Sequence, residues 1–207
     1  MAKGNRTIYV IDDDEAARAS VAALVKSRNL KVIGYASAEE FLAAYDPAQR
    51  GCAVVDIRLP GMSGLELQRR LTSMRSPLQV IIITGHGDVP TAVQAMQAGA
   101  VHFLEKPCFN EGLWTHIERA LDAEALSQEQ ETLQAELQRR FNSLNAAERR
   151  VLDSILAGKG NKAIAMELDI GLRTVELRRS NIMKKMQAES LAELVRFVFI
   201  AQGREPA

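Results

Sequence analysis

The stretch TIYVIDDDEAA, residues 7–17, places three carboxylates directly after a run of apolar residues. The run TIYVI is typical of a buried β-strand, and a helical pattern over residues 15–28 follows it. Adjacent carboxylates at the end of a buried strand repel one another, and the repulsion is poorly screened there. The sequence therefore raises the question of what offsets the charge of Asp12, Asp13 and Asp14.

The rest of the first 120 residues repeats the same alternation of apolar runs and helical patterns. Four more strands are predicted in the segments KVIGYA, CAVVDI, LQVIIIT and VHFLEKP, and a helix follows each of them. Ser37 and Glu40 form a predicted capping box at the start of the second helix. Five β-α repeats predict an α/β fold with a doubly wound five-stranded parallel sheet and helices on both faces.

Polar side chains stand at the ends of four predicted strands. They are Asp12 and Asp13 after the first strand, Asp56 in the third, Thr84 in the fourth and Lys106 after the fifth. With the strand order 2-1-3-4-5, these side chains would meet in one crevice outside the carboxyl ends of the strands. Several carboxylates are tolerated there if a hard cation such as Mg²⁺ neutralises them. An aspartate beside Mg²⁺ and a lysine ammonium group is arranged for phosphoryl transfer.

Two neighbours of this crevice have simpler predicted roles. Asp14 is expected to be the first residue of the following helix, where its charge meets the positive end of the helix dipole. A cis bond between Lys106 and Pro107 would turn the chain sharply and direct the lysine into the crevice.

The cysteines and histidines indicate no metal centre. Cys52 and Cys108 fit no metal spacing and form no disulfide framework, so they are predicted to be buried or neutral. His86, His102 and His116 have no mutual metal spacing and are predicted to be surface or loop residues. The absence of a long apolar run or a signal peptide in the sequence predicts a cytoplasmic protein without a membrane partner.

Residues 121–142 are predicted to form a helical linker between a first domain at 6–120 and a second at 143–203. The segment is polar, lacks Gly and Pro, and carries Leu126, Leu133 and Leu137 at heptad-like intervals. Both a short coiled coil and a solvated extension of the fifth helix fit this pattern.

The second domain is predicted to be all-α, with four helices. Asn145 and Glu148 are predicted to cap the first of them, Asn161 is predicted to cap a short helix, and the final helix is predicted to start at Ser190. A tight turn follows, and then a basic helix over residues 172–186, which is the order of a helix-turn-helix motif. Residues 142–207 carry eleven basic and eight acidic side chains, which hints at nucleic acid.

The first domain resembles the receiver domain of bacterial two-component response regulators. The matching features are DD after the first strand, Asp56 before IRLPGMSG, TGHGD after the fourth strand and FLEKP at the fifth. The resemblance implies that Asp56 is the phosphoacceptor and that Thr84 and Lys106 contact the phosphoryl group. It also implies a Mg²⁺ site made by Asp12, Asp13, Asp56 and the backbone carbonyl of Arg58. Phe103 matches the switch aromatic of the family, where many members have Tyr.

The second domain resembles the LuxR-type DNA-binding domain of FixJ- and NarL-type regulators. The matches are ER.VL, NK.IA..L.I, TV, R.NI..K and S.AELV. The resemblance implies DNA contacts by Lys162, Arg173, Thr174, Glu176, Leu177, Arg178, Arg179, Ser180 and Lys184, and the basic run extends to Lys185.

Three positions of this domain depart from the family pattern. Glu176 stands where a basic residue is usual, and two explanations fit it: a contact with cytosine N4, or an ion pair with Arg173 or Arg179, which is favoured. Asp169 replaces a turn glycine and is expected to tolerate the left-handed conformation. Gly171 replaces a serine cap.

These resemblances predict a transcription regulator, not an enzyme, that a sensor histidine kinase activates through Asp56. The implied partners are promoter DNA, RNA polymerase and a second copy of the phosphorylated chain. One alternative is a Mg²⁺-dependent phosphatase, but such enzymes usually carry a second aspartate two residues after the nucleophile, and here that position is Arg58. Another alternative is a dimerising interaction protein that has lost DNA binding through Glu176.

Overall fold

The computed structural model describes residues 6–85, 87–107 and 110–204. The chain divides into two compact units, Met1–Ser127 and Gln128–Ala207. His86 and Cys108, for which the sequence made predictions, lie outside the described residues. No helix within the described ranges is long and apolar enough to span a membrane.

The first unit is an α/β layer structure with a five-stranded sheet. All of its strand pairs are parallel and the order is β2-β1-β3-β4-β5, so the predicted order is confirmed. The strands are β1 (Thr7–Ile11), β2 (Lys31–Tyr35), β3 (Gly51–Asp56), β4 (Gln79–Thr84) and β5 (His102–Glu105). The helices are α1 (Glu15–Ser27), α2 (Ala38–Ala43), α3 (Gly64–Ser73), α4 (Val89–Gln97) and the first part of α5 (Asn110–Asn142).

Apolar residues cover both faces of this sheet. On one face, Tyr9 and Ile11 of β1 pack with residues from α2, α3 and α4, and Phe41 makes edge-to-face contacts with Tyr9 and Tyr35. On the other face, alternate strand residues pack against α1 and α5. Burial on both faces explains why β1, β3 and β4 have no alternation of apolar and polar residues.

Two predicted helix caps of this unit differ slightly from the structure. Asp14 is the N-cap of α1 and not its first residue; its carboxylate accepts hydrogen bonds from the N–H groups of Ala16 and Ala17. Ser37 caps α2 as expected, but the Glu40 carboxylate accepts from the N–H of Ala36 and not from that of Ser37. In both cases the carboxylate still meets the positive end of a helix dipole.

Helix α5 continues without a break through the predicted linker. Leu137 is fully buried, whereas Leu126 and Leu133 are 61% and 43% exposed. The three leucines therefore do not share one environment, and the segment is an extension of the fifth helix within this chain.

The described part of the second unit consists of helices and the turns that join them. It contains α6 (Ala146–Leu156), α7 (Asn161–Leu168), α8 (Leu172–Met186) and α9 (Leu191–Ala201) around one apolar core. The capping box of Asn145 and Glu148 is confirmed, and the final helix begins one residue later than predicted, with Ser190 as its N-cap. Asn161 is not a cap, because Gly160 takes that position without a side-chain hydrogen bond.

The turn between α7 and α8 forms as the sequence predicts. Asp169 ends α7 in the left-handed conformation, with φ 51°. Gly171 is the N-cap of α8 and supplies no side-chain hydrogen bond. An aspartate in the usual place of glycine therefore keeps the helix-turn-helix geometry.

Candidate functional site

The parallel strands bring four polar side chains to one edge of the sheet. Asp12 directly follows β1, Asp56 and Thr84 are the last residues of β3 and β4, and Lys106 directly follows β5. Asp12, Asp56 and Thr84 are buried, and Lys106 is partly exposed. The carboxyl ends of these strands thus bring two carboxylates and an ammonium group together, with Thr84 at the same edge of the sheet.

Lys106 bridges the two buried carboxylates. Its Nζ lies 2.6 Å from Oδ2 of Asp12 and 2.8 Å from Oδ1 of Asp56. Burial by itself would lower the pKa of Lys106, but the hydrogen bonds and charges of the two aspartates outweigh it and raise that pKa. One positive charge therefore serves two negative ones, and the pocket keeps an excess of negative charge. The Lys106–Pro107 bond is cis, as expected.

Backbone N–H groups hold the other oxygen of each carboxylate. Oδ1 of Asp12 accepts from the N–H of Asp14 at 3.0 Å, and Oδ2 of Asp56 accepts from the N–H of Arg58 at 2.6 Å. A Cβ atom at Gly64 would lie 2.1 Å from the carbonyl oxygen of Asp56. The first turn of α3 thus packs on the backbone of Asp56, and this close approach requires glycine.

The predicted magnesium ligands are only partly assembled. Asp12 and Asp56 face each other across Lys106, but the side chain of Asp13 is exposed. Among the described residues, no three His, Cys, Asp or Glu side chains are arranged to hold a metal ion. A pair of carboxylates with one backbone carbonyl is nevertheless a donor set that suits Mg²⁺, which usually retains several water ligands.

Phe103, in β5, lies against the loop between β4 and α4. The ring is partly exposed and packs on the core under α2, α3 and α4. A Cβ atom at Gly87 would lie 3.2 Å from Cε1 of Phe103, so this loop lies directly against the ring. A movement of the loop therefore requires Phe103 to adjust.

In the second unit, α8 presents a polar face opposite its buried one. Val175, Ile182 and Met186 are buried in the core. The exposed residues predicted to contact DNA lie at positions i, i+3, i+4, i+7 and i+11, which is one side of a helix. They are Arg173, Glu176, Leu177, Ser180 and Lys184.

The other predicted DNA contacts lie beside this face. Thr174, Arg178 and Arg179 are half-buried on the flanks of α8, and Lys162 is exposed in the first turn of α7. Lys185, at the end of the basic run, makes a contact within the unit. Its Nζ lies 2.6 Å from Oε2 of Glu148, so this lysine fastens α8 to α6.

The favoured intrahelical ion pair of Glu176 is not formed. Within residues 6–85, 87–107 and 110–204, no ion pair within 4.0 Å involves Glu176, although Arg173 and Arg179 are three residues away on either side. The Glu176 side chain is exposed.

Some contacts had no local signal in the sequence. The Nη1 atom of Arg18 donates to the carbonyl oxygen of Asp12 at 2.5 Å, across six residues. The rings of His102 and His116 lie 4.3 Å apart, so these partly buried residues are not simple surface or loop positions. Burial, and then the charges of His116 and Arg119, lower the pKa of His102. Cys52 is buried as predicted, and burial raises the pKa of its thiol.

Two family models match the chain. One is the response regulator receiver domain, over residues 8–118, and the other is the bacterial regulatory proteins of the luxR family, over residues 142–198. Both matches agree with the resemblances that the sequence motifs indicate.

Individual proteins match over nearly the whole chain. The transcriptional regulatory protein FixJ of Azorhizobium caulinodans is 46% identical over 200 residues, with 97% of this chain and 94% of that protein covered. The solved structure of the response regulator StyR is 40% identical with a TM-score of 0.85, and covers 94% of this chain and 98% of its own. Full-length FixJ from B. japonicum is 44% identical with a TM-score of 0.59, and covers 96% and 98%.

Proposed function

Because this chain belongs to the FixJ-like two-component response regulators, transcriptional regulators that join a receiver domain to a LuxR-type DNA-binding domain, we propose that phosphorylation of Asp56 controls its binding to DNA. The family consists of transcription factors and not of enzymes, so the phosphatase alternative is set aside. The observation that carries the proposal is the pair of buried carboxylates, Asp12 and Asp56, that share the single ammonium group of Lys106.

The proposed donor is a sensor histidine kinase. An Asp56 carboxylate oxygen attacks the phosphorus of a phosphohistidine; the new P–O bond forms as the P–N bond breaks, and the imidazole leaves with the electron pair. Asp56 suits the role of acceptor because the N–H of Arg58 fixes one of its oxygens. Lys106 lies within 2.8 Å of the other oxygen, where its charge offsets that of the phosphoryl oxygens.

We assign Asp12, Asp13, Asp56 and the backbone carbonyl of Arg58 as the residues that hold Mg²⁺. All four supply the hard oxygen donors that this ion prefers, and Asp13 would turn inward from its exposed position. When bound, Mg²⁺ neutralises charge on the phosphoryl oxygens. The uncompensated charge of Asp12 and Asp56 is what attracts it.

The switch that follows phosphorylation involves Lys106, Thr84 and Phe103. The phosphoryl dianion competes with Asp12 for the ammonium group of Lys106 and accepts a hydrogen bond from the Thr84 hydroxyl. Inward movement of Thr84 carries the loop before α4 with it. Because Gly87 of that loop lies against the Phe103 ring, the ring repacks, and the surface formed by α4 and β5 changes.

The changed surface is proposed to bind a second phosphorylated copy. Val89, Val93 and Met96 of α4 are exposed apolar residues four and three positions apart, which gives this helix an apolar side. A homodimer that reads two half-sites of promoter DNA gains affinity through linkage, without any change at the base contacts. At the promoter the regulator would act on RNA polymerase. Since its proposed target is promoter DNA, we expect it to function in the cytoplasm.

The proposed boundaries are a receiver domain at 6–120, a linker helix at 121–142 and a DNA-binding domain at 143–203. The two family matches, at 8–118 and 142–198, support these limits. In the DNA-binding domain we assign the outward face of α8 to the major groove. The flanking residues Arg178 and Arg179, together with Lys162, suit contacts with phosphates.

Intact mass after incubation with acetyl phosphate tests the chemistry, with and without Mg²⁺. The wild-type chain is expected to gain one phosphoryl group only when Mg²⁺ is present, and Asp56→Asn is expected to gain none. Asp46→Asn is the matched control, since Asp46 is an exposed loop aspartate of the same unit. An adduct that survives in Asp56→Asn, or that forms equally without Mg²⁺, contradicts the proposal.

A further inference from the structure

The middle of the outward face of α8 has few charged groups for a surface assigned to DNA. Arg173 and Lys184 stand at its two ends, while Glu176, Leu177 and Ser180 lie between them. Cations at the ends suit phosphates, which carry no sequence information. The three central residues, a carboxylate, an apolar side chain and a hydroxyl, are therefore the ones placed to read base edges.

Leu177 is the most unusual of the three. Its side chain is 61% exposed, and the residues beside it on this face are Arg173, Glu176 and Ser180, so no apolar neighbour on the outward face covers it. The edges of the bases in the major groove offer one apolar group, the C5-methyl of thymine. An exposed leucine at the centre of a reading face gains most when it covers such a methyl group.

Glu176 adds a second requirement. A carboxylate that approaches DNA is repelled by the phosphates unless it receives hydrogen bonds there. In the described part of the chain it has no ion pair to occupy it, so its oxygens are available as acceptors. Cytosine N4 is the donor that glutamate reads in the major groove, and a base without a donor there would leave the carboxylate unpaired.

We propose that Leu177 and Glu176 set the sequence preference of this regulator, with Leu177 covering a thymine methyl group and Glu176 accepting from the N4 amino group of a nearby cytosine. The proposal rests on the assignment of α8 to the major groove. It gives each half-site one thymine recognised by its methyl group and one cytosine recognised by its amino group.

The thymine contact is tested by removing the methyl group alone. Duplexes that the full-length, acetyl phosphate-treated chain selects from a random pool are remade with deoxyuridine in place of each thymine in turn. At one thymine per half-site the wild-type affinity is expected to fall about fourfold, the equivalent of one buried methyl group. Leu177→Ala is expected to bind the thymine duplex and the corresponding deoxyuridine duplex with equal affinity.

Met166→Ala is the matched control for this measurement. Met166 lies on α7, is 84% exposed and loses a similar apolar side chain. Its variant is expected to keep the wild-type ratio of thymine to deoxyuridine affinities. The proposal is overturned if no single methyl group matters to the wild type, or if Leu177→Ala retains the fourfold ratio.

The cytosine contact is tested by repeating the selection with Glu176→Gln. Glutamine pairs with N6 and N7 of adenine, so the preferred base at one position per half-site is expected to change from cytosine to adenine. An unchanged selected sequence overturns the role of Glu176. If the wild type binds no duplex at all, the proposed function itself fails; if it binds without methyl or cytosine dependence, only this inference fails.

Discussion

In two lysines of this molecule, Nζ lies 2.6 Å from an oxygen of a buried carboxylate, but the two sites differ in their balance of charge. In the receiver, Lys106 is shared between Asp12 and Asp56, so negative charge remains in excess. In the DNA-binding unit, Lys185 has a single acidic partner, Glu148, whose same oxygen also accepts from the N–H of Asn145. The surplus in the first site suits the Mg²⁺ and phosphoryl transfer that we propose for it, whereas the second pair is satisfied and joins α8 to α6.

The balance of charge, and not the presence of a buried ion pair, therefore distinguishes the proposed phosphoacceptor site from the structural pair. A matched pair with additional hydrogen bonds repays its desolvation. Two carboxylates with one ammonium group repay it less well, which fits the use of the surplus charge that we propose for the receiver.

The largest effect is expected when the pair of Glu148 and Lys185 is broken. Glu148→Gln keeps an acceptor for the capping box but removes the charge that faces Lys185, and it should lower the free energy of unfolding of the second unit by about 2 kcal/mol. Urea titration with pulse hydrogen exchange of peptides from α6 and α8 measures this. Glu167→Gln is the control, because its pair with Lys159 has a similarly short distance, 2.7 Å, but is exposed. Equal losses in both variants would mean that burial of Glu148 does not strengthen its pair.

In the receiver, removal of a buried carboxylate is expected to raise the free energy of unfolding. Asp56→Asn leaves Lys106 with one carboxylate and removes the repulsion between two buried negative charges. Without Mg²⁺, it should raise the free energy of unfolding of the first unit by about 1 kcal/mol. Thermal unfolding followed by the fluorescence of Trp114, the single tryptophan, reports on this unit. The control Asp46→Asn should leave the midpoint of thermal unfolding unchanged. A lower midpoint for Asp56→Asn would contradict the claim that surplus negative charge destabilises this unit.

The smallest effect is a pH dependence of the matched pair. Burial by itself would raise the pKa of Glu148, but the hydrogen bonds from Lys185 and Asn145 and nearby positive charges lower it below the ordinary 4.5. The stabilisation is then complete above the ordinary pKa and is lost as the pH falls through the lower folded-state value. The difference in urea midpoint between the wild type and Glu148→Gln should therefore shrink below pH 4.5. A difference that stays constant down to pH 3 would show that the charge of Glu148 does not supply it.

Much of the receiver could be predicted because its signals are local in the sequence. Each strand is a short apolar run, and the polar residue that follows it is placed at the carboxyl edge by the parallel topology alone. Asp12, Asp56, Thr84 and Lys106 could thus be assigned to one edge without any knowledge of distances. The left-handed Asp169 was predictable for a similar reason, since the turn between two helices limits its conformation.

The contacts that escaped prediction join distant parts of the chain or depend on helix rotation. Nothing near Lys185 shows that its partner is Glu148, 37 residues earlier, or that His102 lies beside His116. In α8, the basic run is continuous in sequence, but the side chains of Arg178 and Arg179 are directed to the flanks because Val175 and Ile182 must face the core. Packing decides which members of a charged run face outward, and composition does not show it.

The central claim is that phosphorylation of Asp56 governs DNA binding, and its most direct test is the affinity of the full-length chain for a selected promoter duplex. Wild type, Asp56→Asn and the control Asp46→Asn are titrated at one salt concentration, with and without acetyl phosphate and Mg²⁺. We expect acetyl phosphate to tighten DNA binding of the wild type and of Asp46→Asn by at least about tenfold, the order of magnitude for a dimer that gains affinity through linkage. We expect no change in the affinity of Asp56→Asn. A phosphodonor-dependent gain that persists in Asp56→Asn would contradict the account.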